Sequence, residues 1–283
     1  MFTPDQYQLL DFGDGRKLER FAGVVLDRPC PAADQPQQDA GLWQRADARF
    51  LRTEEESGEW QQDGSLPETW MIQHAEVSMQ LKPTPFGHVG LFAEQAANWD
   101  WIAQRVKRAG RPLRVLNLFA YTGGSTLAAA SAGAEVTHVD AAKNVVAWAR
   151  QNADLSNLAD APIRWIVEDA LKFVEREVRR ANTYDAVILD PPSYGRGPKG
   201  ERWQLSQSLM PLLELCGKLT ADHRAFLLLT CHTQGVGPAE AGAYLSDAVF
   251  GSCEAPPTAK QITISAASGS KLRSGVVVRW PAA

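Results

Sequence analysis

The sequence is short of several things that would narrow its class. Its four cysteines, Cys30, Cys216, Cys231 and Cys253, are scattered with no C-x-x-C spacing. That argues against a zinc framework or a disulfide scaffold, so no metal is expected and a reducing, cytoplasmic setting is. No run of about 18 apolar residues occurs, so no membrane-spanning helix is expected. The opening residues, MFTPDQYQLLDFG, lack the basic segment and apolar core of an export signal. Positive charge is also scarce. Against 33 acidic residues there are 29 Lys and Arg, a net charge of -4, which disfavours an indiscriminate nucleic-acid binder. A basic surface confined to one face remains compatible with that total. Repeats and low-complexity tracts are absent.

What is present is organised around residues 113–140, LRVLNLFAYTGGSTLAAASAGAEVTHVD. Leu113–Phe119 is a short apolar run bounded by turn residues, the pattern of a buried parallel strand. Ala120–Gly124 is a tight turn ending in two glycines, and Ser125–Ala132 is a small-residue helical stretch broken at Gly133. Glu135–Val139 is a second strand, ending on Asp140. Such a β-α-β unit sets backbone N–H groups and a carboxylate at one sheet edge, where open α/β sheets bind ligands. The turn is neither G-x-G-x-x-G nor G-x-x-x-x-G-K-[ST], so dinucleotide and triphosphate sites are disfavoured. The run Asn117–Gly124, N-L-F-A-Y-T-G-G, resembles the first motif of class I S-adenosylmethionine-dependent methyltransferases. More narrowly, it resembles the glycine turn of the 23S rRNA cytosine-C5 methyltransferase family.

With 283 residues, 45% hydrophobic and 22% charged, the chain has room for one large α/β domain and a smaller partner. Residues 1–90 read as a β-rich domain. Tyr7–Phe12 and Lys17–Leu26 flank the turn Gly13-Asp14-Gly15, Arg45–Arg52 and Met71–Leu81 look like further strands, and Glu54–Gly64 is a charged loop. Trp43, Trp60 and Trp70 suit either internal packing or a stacking platform for unpaired bases. Residues 91–283 read as the second domain. Leu91–Val106 has helical spacing, and Arg105, Lys107, Arg108, Arg111 and Arg114 follow it closely. They suit either a helix C-terminus or an RNA surface. Strands are then expected at Ile163–Val167, Tyr184–Asp190, Arg224–Thr230, Gln261–Ser265 and Gly275–Trp280. Helices fall at Lys143–Ser156, Ala170–Arg180, Leu205–Leu219 and Pro238–Phe250. The alternation predicts a doubly wound, mostly parallel sheet with helices on both faces and an antiparallel closing pair. It is the arrangement of the seven-stranded class I methyltransferase fold.

Three acids stand at successive strand ends: Asp140, Asp169 and Asp190. One alone would read as a helix cap. Three facing a glycine turn suit a cationic nucleoside, and the resemblance makes that S-adenosylmethionine. It implies cofactor contacts from Phe119, Ala120, Tyr121, Gly123, Gly124, Asp140, Asp169 and Asp190. Asp140 would accept from the ribose hydroxyls and Asp169 from the adenine amino group, with Asp190 nearest the sulfonium. Asp190-Pro191-Pro192 then resembles methyltransferases acting on nucleic-acid bases; with Asp in place of Asn, the amine-directed version is less favoured. Two prolines offer no donors and leave carbonyls toward a substrate. Pro191, Pro192, Tyr194 and Arg196 are the candidate substrate contacts, in a stretch, Gly195–Gly200, expected to be flexible. Arg196, Lys199 and Arg202 are placed to meet phosphates.

Cys231, in T-C-H-T, sits where the resembled family carries its nucleophile. Methylation at C5 of a cytosine needs a thiolate adding at C6, so Cys231 and Asp190 are the candidate catalytic residues. Help from His232 is doubtful, because neighbours on a strand face opposite ways. A buried structural role is the other reading of Cys231. The resemblance covers roughly residues 70–280, and two departures qualify it. No basic PUA-type module precedes the domain. The family's K-T-G-F-F-L-D-Q-R is here G-H-V-G-L-F-A-E-Q-A, without the Lys and the terminal Arg. The expected activity is therefore methylation of RNA, foremost rRNA at a cytosine C5. The alternatives are a protein or small-molecule acceptor, or a non-catalytic paralogue that binds the cofactor. Oligomeric state stays open.

Overall fold

The computed structural model describes residues 1–54, 57–62, 66–251 and 257–282. Cys253 and parts of the loop expected at 54–64 lie outside them. The chain divides into two compact units, one of Met1–Ala97 with Thr263–Ser274, the other of Asn98–Ile262 with Gly275–Ala283.

Short alternating runs make the first unit β-rich. β1 (Tyr7–Gly13), β2 (Arg16–Phe21) and β3 (Val24–Pro29) pair antiparallel in turn. The single strand expected over Lys17–Leu26 is instead a hairpin, because Ala22 takes a left-handed φ of 53° and reverses the chain beside Gly23. After the short helix α1 (Ala40–Trp43), β4 (Ala48–Arg52) runs parallel to β3, and β5 (Gly58–Gln62) closes a five-stranded sheet. β6 (Trp70–His74) and β7 (Val77–Leu81) form a separate hairpin where one strand was expected, turning at Ala75 with φ 49°. A two-residue turn leaves the period-2 pattern unbroken, so alternation alone does not reveal it. The buried carboxylate of Glu19 is paired with Arg28 at 2.5 Å and takes the Tyr7 hydroxyl at 2.9 Å. Pairing is what makes burial of such charges tolerable. The Trp43 indole donates to Asp11 and that of Trp60 to the Thr84 carbonyl, each at 2.8 Å, so both serve internal packing.

The second unit carries the regular alternation. α2 (Ala96–Arg108) leads into β8 (Arg114–Leu118), α3 (Gly124–Ser131), β9 (Glu135–Asp140), α4 (Lys143–Leu155), β10 (Ile163–Val167), α5 (Ala170–Arg179) and β11 (Ala186–Leu189). A two-stranded hairpin of β12 (Tyr194–Arg196) and β13 (Arg202–Gln204) follows. Then come α6 (Leu205–Leu219), β14 (Phe226–Cys231), α7 (Pro238–Phe250), β15 (Thr258–Ser265) and β16 (Lys271–Trp280). The sheet order is β10-β9-β8-β11-β14-β16-β15, with β16 antiparallel to β14 and the pairs from β10 to β14 parallel. This is the class I methyltransferase sheet; the other unit holds the β-rich amino-terminal sheet.

The strands are apolar on both faces because helices cover both. Leu116, Leu118, Val187, Leu189, Leu227, Leu229 and Cys231 share one cluster with residues of α5, α6 and α7. Val115, Ala186, Ile188, Phe226 and Leu228 share another with Ile102 and Val106 of α2 and Ala129 of α3. Each fully buried leucine of these strands contributes about 1.5–3 kcal/mol of transfer free energy.

Candidate active site

The parallel register aligns the strand ends. Leu118 pairs with Val139 and with Leu189, Val167 with Asp140, and Leu189 with Leu229. Phe119, Asp140, Asp169, Asp190 and Thr230 therefore gather at one edge of the sheet.

The glycine turn is held in a strained conformation. Phe119 and Tyr121 both have left-handed φ, 55° and 48°, an uncommon state for side chains of that bulk. Backbone strain of this kind clusters where a site requires it. Gly123 follows at φ 95° and caps α3. A Cβ on Gly124 would stand 2.2 Å from Cζ2 of Trp99, so no larger residue fits there. Below the turn, Asn117 donates to the Thr126 hydroxyl at 2.9 Å, and that hydroxyl lies 3.0 Å from Nδ1 of His138. Burial, helped by the Arg150 charge, pushes His138 down to about 3, so its imidazole is neutral at ordinary pH. From α4, Asn152 fixes the Thr122 carbonyl at 2.9 Å.

Asp140 accepts the Tyr121 N–H on one oxygen and the Ala142 N–H on the other, both at 2.9 Å. Burial raises its pKa, and these backbone N–H groups oppose the rise. With the Ala141 N–H also bonded to it, the carboxylate still has lone-pair capacity for a hydroxyl donor. Asp169 caps α5 by accepting the Lys172 N–H at 3.0 Å. Asp190 takes the Thr230 hydroxyl at 2.5 Å on Oδ1, and Nε2 of His232 lies 3.3 Å from the same oxygen. His232 reaches it because β16 has a glycine alongside: a Cβ on Gly275, whose φ is 122°, would stand 2.6 Å from Nδ1. The sequence points to His232 only as a neighbour of Cys231; its partnership with Asp190 depends on strand pairing.

Cys231 lies elsewhere. It is 1% exposed and belongs to the apolar cluster of Leu213, Leu245 and Val276, on the opposite face of β14 from Thr230. The expected exposed nucleophile is thus a core side chain. The other described cysteines are Cys30, half-buried, and Cys216, fully buried, whose thiol burial pushes up to about 12.

Two further expectations change in the Pro191-Pro192 region. The Pro192 carbonyl does not face outward, since it accepts the Trp203 indole N–H at 2.7 Å. Of the stretch Gly195–Gly200, Gly195 and Arg196 are strand residues paired with Trp203 and Arg202, and 197–200 form the turn of that hairpin. Trp203 also packs on Phe119, ring centroids 4.7 Å apart, and so ties this hairpin to the glycine turn. Two of the expected cations, Arg111 and Arg114, are not brought to that edge. Arg111 forks onto Asp185 at 2.5 and 3.1 Å, and Arg114 opens β8, so both stand at the amino end of the strands. A cleft of about 550 Å³ lined by Arg111, Arg114 and Asp185 lies there, away from the three acids.

The donor set matches a nucleoside carrying a ribose diol and positive charge: turn N–H groups, and carboxylates with lone pairs to spare. Comparison with known sequences decides which. The family profile of S-adenosylmethionine-dependent methyltransferases matches residues 35–238. The chain belongs to this family. S-adenosylmethionine is accordingly its cofactor.

Among curated methyltransferases, a provisionally named ribosomal RNA large subunit methyltransferase of Methanocaldococcus jannaschii is 32% identical over 169 residues, 59% of this chain and 41% of that protein. Ribosomal RNA large subunit methyltransferase K/L of Pseudoalteromonas atlantica is 35% identical over 136 residues, 47% of this chain and 18% of that protein. The chain thus spans less than half the length of either relative. A crystal structure of a methyltransferase from Agrobacterium tumefaciens, titled as dependent on the same cofactor, superposes with a TM-score of 0.93 at 37% identity. That match covers 98% of this chain and 91% of the other. Among the described residues no helix of this methyltransferase is long and apolar enough to cross a membrane. None of them form a cluster of three or more His, Cys, Asp or Glu suited to a metal.

Proposed function

We propose that this methyltransferase modifies a base of ribosomal RNA, and that the acceptor atom is a nitrogen. The names of the two curated relatives support the RNA, and Asp190-Pro191-Pro192 supports a base, with Asp in place of Asn favouring a ring nitrogen over an exocyclic amine. The acceptor atom rests on one observation: Asp190, Thr230 and His232 come together at the sheet edge, whereas Cys231 is 1% exposed in the core behind it. Transfer to a cytosine C5 through a Cys231 adduct needs that thiol at C6 of the base, and its burial does not support such a route.

When bound, S-adenosylmethionine would supply a methyl group on a sulfonium; its transfer to a nitrogen lone pair would break the methyl C–S bond and release the neutral thioether, with no covalent adduct to the protein. Asp140 holds the ribose, with the Tyr121 and Ala142 N–H groups fixing its carboxylate. Asp169 serves the adenine end. Asp190 faces the acceptor, where a nitrogen becomes more positive as it is methylated, and a fixed carboxylate stabilises that charge better than an amide does. Thr230 and His232 hold Oδ1 of Asp190 and so aim the carboxylate. An acceptor in the ribosome also places the activity in the cytoplasm.

The acceptor class is tested by incubation with cofactor carrying a labelled methyl group and, separately, deproteinised rRNA, total protein and low-molecular-weight extract. Label in rRNA is expected. Label confined to protein or small molecules contradicts the proposal, and no label in any fraction favours a non-catalytic cofactor-binding role.

A further inference from the structure

The hairpin beyond Asp190-Pro191-Pro192 has two unlike faces. Tyr194 pairs with Gln204, Gly195 with Trp203, and Arg196 with Arg202. Alternation puts Gly195 and Trp203 on the inner face, where Trp203 is 5% exposed against Phe119. The outer face is Tyr194, Arg196, Arg202 and Gln204. Tyr194 is 74% exposed, the most exposed large hydrophobic side chain among the described residues.

The two arginines stand directly opposite each other, and among the described residues neither pairs with a carboxylate. Like charges facing across a ladder destabilise it, unless a shared anion relieves them. The acid nearest to them is turned away. Glu201 is held by Lys172 at 2.5 Å and by the Lys199 N–H at 2.8 Å, which also pins the hairpin tip to α5. At its base the hairpin is closed by the Leu205 N–H on the Ser193 carbonyl at 3.0 Å, and by the Ser193 and Thr233 hydroxyls at 2.7 Å. The unrelieved charge therefore sits on a fixed platform.

We infer that this outer face docks single-stranded RNA, with Tyr194 stacked on an unpaired base and Arg196 and Arg202 on phosphates of the same strand. The inference rests on the proposal that RNA is the acceptor, and adds where and in what form it is held. An exposed ring needs an unstacked base, which a duplex does not offer. Strands of three residues are also too short to follow a groove. The two facing guanidinium groups complement a polyanion locally, although the protein's total charge is -4.

Fluorescence anisotropy tests this with a short RNA oligonucleotide, single-stranded or annealed to its complement, and with cofactor affinity measured alongside to show an intact turn. The wild-type protein should prefer the single strand. Tyr194→Ala should weaken binding by roughly five- to a hundredfold, the scale of one lost base stack. Arg196→Gln with Arg202→Gln should flatten the log–log salt slope by about 1.4, two phosphate contacts on a single strand. If the variants bind RNA like the wild type, or if duplex binds as well as single strand, the docking face is wrong while RNA remains the acceptor. If the wild-type protein binds neither form, the RNA proposal falls and this inference with it.

Discussion

Trp99 and Gly124 exclude any side chain between them: Cζ2 of the indole lies 2.2 Å from where a Cβ on the glycine would stand. Gly124→Ala must therefore displace either the α2 indole or the start of α3. Overpacking of this kind costs about 1–3 kcal/mol, and it should also weaken cofactor binding, because the turn moves with α3. Trp99→Leu makes room for the added methyl. In a double-mutant cycle the pair should be less damaging than the sum of the singles. Strict additivity, read by denaturant titration and calorimetry, would show that the close approach does not constrain the turn.

His138 gives the fold a dependence on pH. Its folded value of about 3 is well below 6.5, so the unfolded chain binds more protons between those values. The stability it supports is complete above pH 6.5 and is lost as pH falls toward the folded value. At pH 4.5 the loss is on the order of 3 kcal/mol. Carboxylates titrate in part of this range, so the comparison is with His138→Gln, whose stability should fall less steeply between pH 6.5 and 4.5. Identical slopes in urea unfolding would mean that His138 is not buried as a neutral ring.

Cys231 supplies a prediction that separates a core residue from a nucleophile. Cys231→Ala removes one buried sulfur, a change in the range of about 1 kcal/mol of stability. Methyl transfer should survive within a fewfold, measured under single turnover at a temperature where the variant is fully folded. A loss of several orders of magnitude with unchanged cofactor affinity would restore the thiolate route.

Much of the second unit is legible in the sequence, because its central strands are apolar runs and its helices have clear spacing. Leu205–Leu219 and Pro238–Phe250 fall where their periodicity puts them. Two tight turns, at Ala22 and Ala75, were not, since non-glycine residues with left-handed φ carry no turn signature. In the site, the strand-end acids were readable from chain order alone. Which face of β14 carries Cys231 was not, because every residue from Phe226 to Cys231 is buried and the run shows no alternation. The Asp190–His232 approach is equally hidden, as it depends on Gly275, distant in sequence but paired alongside.

The central claim, transfer to a nitrogen of an RNA base, is tested most directly by identifying the modified nucleoside. Ribosomal RNA is incubated with the protein and cofactor carrying an isotopically labelled methyl group, digested to nucleosides and analysed by mass spectrometry with fragmentation. The account predicts the labelled methyl on a base nitrogen. Labelled 5-methylcytidine as the product would contradict it, and would require Cys231 to leave the core during catalysis.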